Sequence, residues 1–461
     1  MAGLTNGTSY TFALTATNTG GTTSAPLPAS TIVIPSASSS LSPAQDFKAL
    51  TVGNLSSGAT PAPKAVASAE QGFSDHEILI GMSSSFTGSA ADADTMIYEG
   101  MSAYFAQINA QGGVNGRQLR LKVYDDGYDP QRAAANTLRL VTQDHVFAIT
   151  GEYGTPTVTA VMPLLEALAD QNTFMLFPVS GAAVTRTGRY ADLSYNLRAS
   201  YGQEVKGLVK RLLALHRTRI AVFYQNDAYG RDGWAKAREA LARSKLRIVA
   251  EATYTRGGKF EDSMAEQVAA LKEGAPDAII AIGVTASGAA LIRDVRDAGL
   301  TCPIATVSLE IFDDMLRLLA DAGRARGKSY SENLIGSSVM PNPLHSDLPA
   351  AVEYRTLMDK YHPVVHGPLT RTAHPTQAYN ELGLEGFLNA KLLVELLRRL
   401  GDHPARAYLP VVFEQISNLD LGLGMPVSFS DQRHQGQDSI FYQTAQDGKP
   451  VAINDWSTWQ K

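Results

Sequence analysis

Cysteine is almost absent from this sequence of 461 residues, since Cys302 is the only one. A single cysteine excludes an intramolecular disulfide and a zinc site built on cysteine ligands. The formal net charge is −5 and the pI is near 6.0. Without a basic excess to attract phosphate groups, we expect no nucleic acid among the partners. No stretch of about 18 apolar residues is present, so the sequence predicts no transmembrane helix.

The composition is that of a globular protein, with 44% apolar and 18% charged residues. At about 150 residues per domain, the length suggests roughly three structural units. The first residues, MAGLTN, lack the basic and apolar regions of a signal peptide. We therefore expect no export signal in the chain as given.

The amino-terminal segment, residues 1–34, has a β pattern. Residues 10–16 alternate with period two, which predicts a half-buried antiparallel strand, and residues 31–34 (TIVI) read as a second strand. Residues 4–10 (LTNGTSY) resemble the tyrosine corner of a fibronectin type III module. Because a complete module needs roughly 100 residues, two interpretations stay open. The segment is either a partial fibronectin type III-like β-hairpin from a truncated module or an unrelated hairpin extension.

The next segment, residues 35–75, is rich in Ser, Ala, Pro and Gly, a composition that predicts a flexible linker. From residue 76 onward, short apolar runs alternate with amphipathic helical patterns. The runs lie at residues 78–81, 119–123, 146–149, 173–177, 220–223, 278–282 and 304–307. Repeated βα units predict an α/β fold with doubly wound parallel sheets. About 385 residues are too many for one such sheet, so we expect two lobes.

Ligands of doubly wound sheets bind beyond the carboxyl ends of the strands. The loops expected there are rich in Gly, Ser and Thr, and they cover residues 83–88, 152–157, 179–183, 225–230, 283–288 and 308–310. Backbone amides and hydroxyls at helix N-termini favour an anion such as a carboxylate.

Four segments carry a resemblance to a known family. They are residues 108–116 (INAQGGVNG), 124–130 (YDDGYDP), 224–230 (YQNDAYG) and 293–299 (RDVRDAG). Together they make the chain, from about residue 76 to its end, similar to the type I periplasmic solute-binding proteins, in the leucine/isoleucine/valine-binding branch of ABC importers. The first segment also predicts a helix that ends at Ala110, and the second a helix capped by Asp129 with Pro130 at its first position.

The resemblance implies two lobes joined by three crossovers, with a ligand held between them. We place the crossovers near Ser200, Asn333 and Val427. The first lobe would then comprise residues 76–199 with 334–427, and the second lobe residues 200–333 with 428–461.

The resemblance also implies ligand contacts in the first lobe. Thr155 falls where the family has a serine that binds the ligand carboxylate, and Thr155 and Pro156 together also fit a helix N-cap followed by proline. Val179 and Gly181 fall where the family offers backbone groups and a threonine hydroxyl, and the neighbouring Ser180 could supply that hydroxyl. The expected contacts of the first lobe are Tyr153, Thr155, Val179, Ser180 and Gly181.

In the second lobe, Tyr229 falls on an aromatic residue that lines the cleft in the family. The family holds the ligand ammonium with an aromatic residue and a glutamate. This chain departs from that pattern, with Val284 or Thr285 at the first position and Ser308 at the second. Glu310, two residues further on, could replace the acid. Without a buried acid an ammonium would be poorly compensated, so an amino-acid derivative, an amide or another small carboxylate stays open as the ligand.

The sequence therefore predicts a non-catalytic binding protein of an ABC importer that takes a branched-chain amino acid or a related small carboxylate. The expected partners are this small molecule and the permease subunits in the membrane. The resemblance implies a periplasmic location, and we expect no cofactor and no metal. The alternative is a ligand-sensing receptor ectodomain tethered through β modules. An enzyme is not expected, because no nucleophile elbow is present, and residues 323–329 depart from a phosphate loop in spacing.

Overall fold

The computed structural model describes residues 10–11, 32–33, 72–364 and 379–459. The chain divides into two compact units, residues 1–65 and 66–461. In the first unit, β1 (Tyr10–Thr11) pairs antiparallel with β2 (Ile32–Val33), as the sequence predicts at these positions. The rest of the fibronectin-like hairpin and most of the predicted linker lie outside the described residues.

The predicted linker ends earlier than residue 75. Phe73 forms an antiparallel bridge with Ile78, and the amide of Leu79 donates a hydrogen bond of 2.7 Å to the carbonyl of Gly72. These contacts make residues 72–75 the first turn of the second unit.

The strands of the second unit are short and mostly buried. They are β3 (Glu77–Ser84), β4 (Gln118–Asp125), β5 (Ile149–Thr150), β6 (Met175–Leu176), β7 (Ser194–Tyr195), β8 (Ile220–Gln225), β9 (Glu251–Tyr254), β10 (Ala278–Ile282), β11 (Ile304–Thr306), β12 (Leu334–Ser338), β13 (Leu419–Asp420), β14 (Pro426–Val427), β15 (Phe441–Gln446) and β16 (Lys449–Ala452).

Helices follow most of these strands. They are α1 (Ala91–Ala110), α2 (Pro130–Thr142), α3 (Thr155–Ala167), α4 (Tyr201–Ala214), α5 (Ala228–Arg243), α6 (Ala265–Glu273), α7 (Thr285–Asp297), α8 (Phe312–Arg326), α9 (Pro349–Tyr361), α10 (Glu381–Leu400) and α11 (Leu409–Glu414). Short 3-10 turns lie at Ala169–Gln171, Ala183–Thr185, Gly188–Leu193, Arg406–Tyr408 and Trp456–Trp459.

Two sheets define two lobes, which confirms the predicted fold class. The first lobe has a parallel five-stranded sheet in the order β4-β3-β5-β6-β7. The second lobe has a seven-stranded sheet in the order β16-β15-β12-β11-β10-β8-β9, in which only β15 and β16 run antiparallel to their neighbours. Helix α10 packs against α1 and so covers the first lobe.

The second crossover lies later than the sequence predicts. Strand β12 pairs in parallel with β11, so residues 334–338 still belong to the second sheet. A boundary near Asn333 therefore falls before this strand, and the chain crosses to the first lobe only after Ser338. The reason is that β12 is a fully buried central strand, whose pairing partner the apolar pattern alone does not specify.

Local signals explain why the elements end where they do. Every residue of β10 is buried, as expected for an apolar strand covered by helices on both faces. Helix α1 ends at Ala110 as predicted, and Gly112 and Gly113 continue with positive φ. The Asp129 side chain accepts the first amides of α2, which confirms the predicted cap. Among the described residues, no helix is both long and apolar enough to cross a bilayer.

Candidate functional site

The amino end of α3 lies at the carboxyl edge of the first sheet and is buried. Its N-cap is Gly154, with φ 87°, and no side chain caps the helix. The expectation that Thr155 is the cap is therefore wrong by one residue. A side chain at residue 154 would overlap the ring of Tyr128, and its positive φ also favours glycine. The first amides of a helix lack intrahelical partners, so this buried helix end suits an anion.

Two hydroxyls meet at this helix end. Thr155 Oγ1 lies 2.9 Å from Ser180 Oγ, and it donates to the Tyr201 hydroxyl at 3.4 Å. All three side chains are buried. Hydroxyls can both donate and accept. The hydroxyl cluster of Thr155, Ser180 and Tyr201 can therefore bind an oxygen anion beside the helix terminus.

The other expected first-lobe contacts are placed differently. The Val179 amide donates to the Glu152 carbonyl at 2.8 Å, and the Val179 carbonyl accepts the Gly154 amide. The backbone of Val179 is therefore engaged in sheet pairing. The Gly181 carbonyl accepts the Tyr201 amide at 2.8 Å, and a Cβ at residue 181 would overlap Tyr201. Gly181 thus allows Tyr201 to approach the Thr155 hydroxyl.

Tyrosine side chains from both lobes belong to one buried cluster. The rings of Tyr128 and Tyr153 lie 5.8 Å apart in the first lobe, and those of Tyr201 and Tyr229 lie 5.1 Å apart on the side of the second lobe. All four are buried. The Tyr229 hydroxyl donates to the Gly283 carbonyl at 2.8 Å, which holds its ring against the loop after β10.

Glu310 is a buried acid, and none of the described residues forms an ion pair with it. Its Oε1 accepts the Gly283 amide at 2.9 Å, whereas Oε2 has no hydrogen-bond partner. Burial raises the pKa of Glu310 well above its usual range, and the Gly283 amide offsets only part of this effect. A carboxyl with a strongly raised pKa is a common feature of binding and catalytic sites.

Thr285 and Ser308 are engaged within the second lobe. Thr285 Oγ1 accepts the Ile311 amide at 3.0 Å and so ties the loop that carries Glu310 to α7. Both the amide and the hydroxyl of Ser308 donate to Glu204, at 2.9 and 2.8 Å. Of the nine residues predicted from the sequence, the structure brings Thr155 and Ser180 into contact and buries Glu310 in the second lobe. The other six contact neighbouring protein groups, and they are Tyr153, Val179, Gly181, Tyr229, Thr285 and Ser308.

Some contacts between the lobes were not predicted. Gln225 Nε2 donates to the Tyr128 hydroxyl at 3.4 Å, and the Arg256 guanidinium lies 5.3 Å from the centre of the Tyr128 ring. Tyr128 and Gln225 could have been singled out from the sequence, because both belong to family-like segments at strand ends. Nothing in the sequence indicates that these two residues meet.

Three further carboxyls are buried near the ends of the first-lobe strands, those of Asp94, Asp126 and Glu152. Burial raises the pKa of Asp126 to about 6, and it raises the pKa of Asp94 and Glu152 well above their usual range. Across the described residues, no cluster of three His, Cys, Asp or Glu side chains has the geometry of a metal site.

A cavity opens between the lobes beside Gly181. It has a volume of about 370 Å³, and its walls include Gly181 and Arg186 from the first lobe and Lys206 and Asp232 from α4 and α5. Asp232 Oδ1 accepts the Ala183 amide across this cavity at 3.4 Å.

A family profile described as "Periplasmic binding protein" matches residues 77–449. The amino-acid binding protein of Pseudomonas aeruginosa is 27% identical over 241 residues, which cover 51% of this chain and 62% of that protein. The Leu/Ile/Val-binding protein of Escherichia coli is 24% identical over 225 residues, which cover 49% of this chain and 59% of that protein. The aligned region therefore spans only about three fifths of these relatives.

Solved structures match over a longer range. A possible leucine/isoleucine/valine-binding protein from Rhodopirellula baltica has a TM-score of 0.73 and 26% identity, with 86% of this chain and 99% of that chain covered. A branched-chain amino acid ABC transporter protein from Thermus thermophilus, with bound valine, has a TM-score of 0.70 over 82% of this chain and 96% of that chain. At 17% identity, the second similarity concerns the fold alone. The family profile begins at residue 77 and gives no support to the fibronectin type III-like segment.

Proposed function

The chain belongs to the periplasmic binding protein family, and we propose that it is the substrate-binding protein of an ABC importer that takes a branched-chain amino acid or a related small carboxylate. In this proposal the ligand lies between the lobes, in contact with Thr155 and Ser180 on one side and with Tyr229 and Glu310 on the other. The protein holds the ligand without changing it chemically.

The observation that carries the proposal is the buried helix end at Thr155. Its amides have no side-chain cap, and two hydroxyls lie 2.9 Å apart beside it. A buried helix terminus without a capping group is unfavourable, and a carboxylate would satisfy its amides and interact favourably with the helix dipole.

The acid at Glu310 supports an amino acid among the small carboxylates. The ligand ammonium would supply the positive charge that this buried carboxyl lacks. The names of the relatives support the same class, since they include an amino-acid binding protein and Leu/Ile/Val-binding proteins.

Calorimetry on the purified chain tests the proposal directly. L-leucine, L-isoleucine and L-valine are titrated alongside 4-methylpentanoate, which is leucine without its amino group. We expect at least one amino acid to bind at roughly micromolar affinity or tighter, and 4-methylpentanoate to bind more weakly. If no amino acid and no small carboxylate produces heat, the proposal is wrong.

The proposed partners are membrane permease subunits that recognise the ligand-bound form. Ligand contacts from both lobes would favour a closed arrangement, which a permease could recognise. Uptake of radiolabelled ligand in cells with and without this protein separates import from sensing. Unchanged uptake together with a ligand-dependent signalling response would favour the receptor alternative, and would argue against import.

A further inference from the structure

A second buried cluster lies between the lobes, centred on Arg198. Its guanidinium has no solvent exposure, and it lies 3.5 Å from Glu385 Oε2 and 3.9 Å from Glu204 Oε1. Both acids are also fully buried. One cation therefore faces two carboxylates in a region without water contact, where such interactions are strong and the loss of one partner is costly.

Two serines extend this cluster into the second lobe. Arg198 Nη2 donates a hydrogen bond to Ser308 Oγ, and Ser308 donates to Glu204. Ser337 Oγ also donates to Glu204, at 2.8 Å. The Glu204 carboxylate therefore connects α4 to the ends of β11 and β12 and leaves Ser308 fixed beside the guanidinium.

The cluster joins elements of both lobes. Glu385 lies on α10, which packs against α1 of the first lobe. Ser308 follows β11, and Ser337 lies in β12 of the second sheet. Arg198 lies between β7 and α4, where the chain passes from the first sheet to the second. Its guanidinium is thus the cation that connects helix α10 to the second-lobe loop.

The same guanidinium supports the proposed ligand site. It lies 5.9 Å from the centre of the Tyr201 ring, whose hydroxyl contacts Thr155 and whose face is next to Tyr229. Ser308, its hydrogen-bond partner, is two residues from Glu310. Arg198 therefore contacts Tyr201, which bonds Thr155, and Ser308, which lies in the loop that carries Glu310.

We infer that Arg198 is a positioning residue for the interlobe site: by joining Glu385 on the first lobe to Ser308 on the second, it stabilises the arrangement in which Thr155 and Glu310 face one ligand. This inference rests on the proposed function for its affinity readout, but its effect on lobe arrangement can be measured without any ligand.

The affinity test uses Arg198→Lys, which keeps the charge but loses the planar, forked geometry of the guanidinium. The matched control is Arg406→Lys, because Arg406 is equally buried yet bonds carbonyls of the first lobe, including those of Val146 and Gln171. We expect Arg198→Lys to weaken binding of the tightest amino acid by roughly tenfold or more, while Arg406→Lys changes affinity by less than about twofold. Equal affinities for Arg198→Lys and wild type overturn the inference, as do equal losses in the two variants.

A ligand-free measurement separates this inference from the proposed function. Pulsed electron paramagnetic resonance measures the interlobe distance between two spin labels. One label is attached at Gln131→Cys in the first lobe and the other at Lys272→Cys in the second, and Cys302→Ala removes the native thiol. Both label sites are exposed. We expect Arg198→Lys to broaden or lengthen the distance distribution and Arg406→Lys to leave it unchanged. A distribution unchanged by Arg198→Lys overturns the inference, even where wild-type protein binds amino acids. A changed distribution in a protein that binds no amino acid supports the inference and contradicts the proposed function.

Discussion

The carboxylate of Glu310 lies against the Cα of Gly288, in the first turn of α7, so closely that a Cβ at residue 288 would overlap it. The backbone of Gly288 is helical, so the glycine is required here by the proximity of the acid and not by a special φ angle. The Gly283 amide and the Gly288 Cα together determine where this buried carboxyl can lie.

Replacement of Gly288 by alanine tests this relationship. We expect Gly288→Ala to displace Glu310 and to weaken amino-acid binding by roughly tenfold, although alanine is the better helix former. Calorimetry gives the affinity, and urea denaturation shows whether the fold is retained. The matched control is Gly202→Ala, another helical glycine, whose Cβ would make only an ordinary 3.4 Å contact with Lys236. Equal affinities in the two variants would contradict the prediction.

Proton release is expected when an amino acid binds next to Glu310. Burial raises the pKa of this carboxyl, so the free protein holds its proton over a wider pH range than an exposed glutamate would. A ligand ammonium favours the ionised form, so binding releases a proton and affinity falls as the pH is lowered through the raised pKa.

Titrations in two buffers of different ionisation enthalpy measure this release. Wild-type protein should give different apparent heats in the two buffers, whereas Glu310→Gln should give the same heat in both. The ligand 4-methylpentanoate, which has no ammonium, serves as the control on wild type. Buffer-dependent heat of the same size in Glu310→Gln would assign the proton to another group.

The hydroxyl cluster at the amino end of α3 predicts that Thr155→Val weakens ligand binding. The substitution keeps the shape of the side chain but removes the Oγ1 that contacts Ser180 and Tyr201. We expect a loss of affinity for every carboxylate ligand of roughly tenfold or more, because a ligand hydrogen bond to a charged group is lost. Thr142→Val, at an exposed threonine whose hydroxyl bonds the Leu138 carbonyl, is the control. Full affinity in Thr155→Val would remove the hydroxyl from the proposed site.

The buried Asp126 predicts a dependence of stability on pH. Its pKa is raised by burial from 3.8 to about 6, so the folded protein keeps a proton that the unfolded chain loses. A raised acid pKa favours folding at low pH, and this contribution falls as the pH rises through the window between the two values. Urea denaturation of wild type and Asp126→Asn at several pH values isolates the contribution of Asp126 to the free energy of unfolding. The free energy of unfolding of wild type relative to the variant should decrease across this window; a constant difference would show that Asp126 does not titrate there.

Much of the architecture follows from short-range patterns. The period-two and apolar runs, the glycines after Ala110 and the cap at Asp129 are local signals, and the structure has the elements where they predict. These signals work because a cap or a turn involves residues only a few positions apart. The second crossover was misplaced because strand order is a long-range property that an apolar run does not encode.

The candidate site also combines residues that local patterns identify with contacts that only the tertiary structure reveals. The strand-end loops and the family-like segments single out Thr155, Tyr229 and Glu310 from the sequence. However, no pattern indicates that Tyr201 would reach Thr155 across 46 positions, or that Arg198 would bond Ser308 across 110. These contacts depend on which strands are neighbours and on how the lobes face each other.

The sequence by itself determined the α/β class, the two-lobe organisation and the residues at the strand ends, because periodicity and turn chemistry act over a few residues. Only the tertiary structure decided which hydroxyls meet at the uncapped end of α3, that Glu310 is buried without a cation, and that Arg198 connects Glu385 to Ser308. The physical reason is that burial and charge pairing arise when distant segments pack together and exclude water.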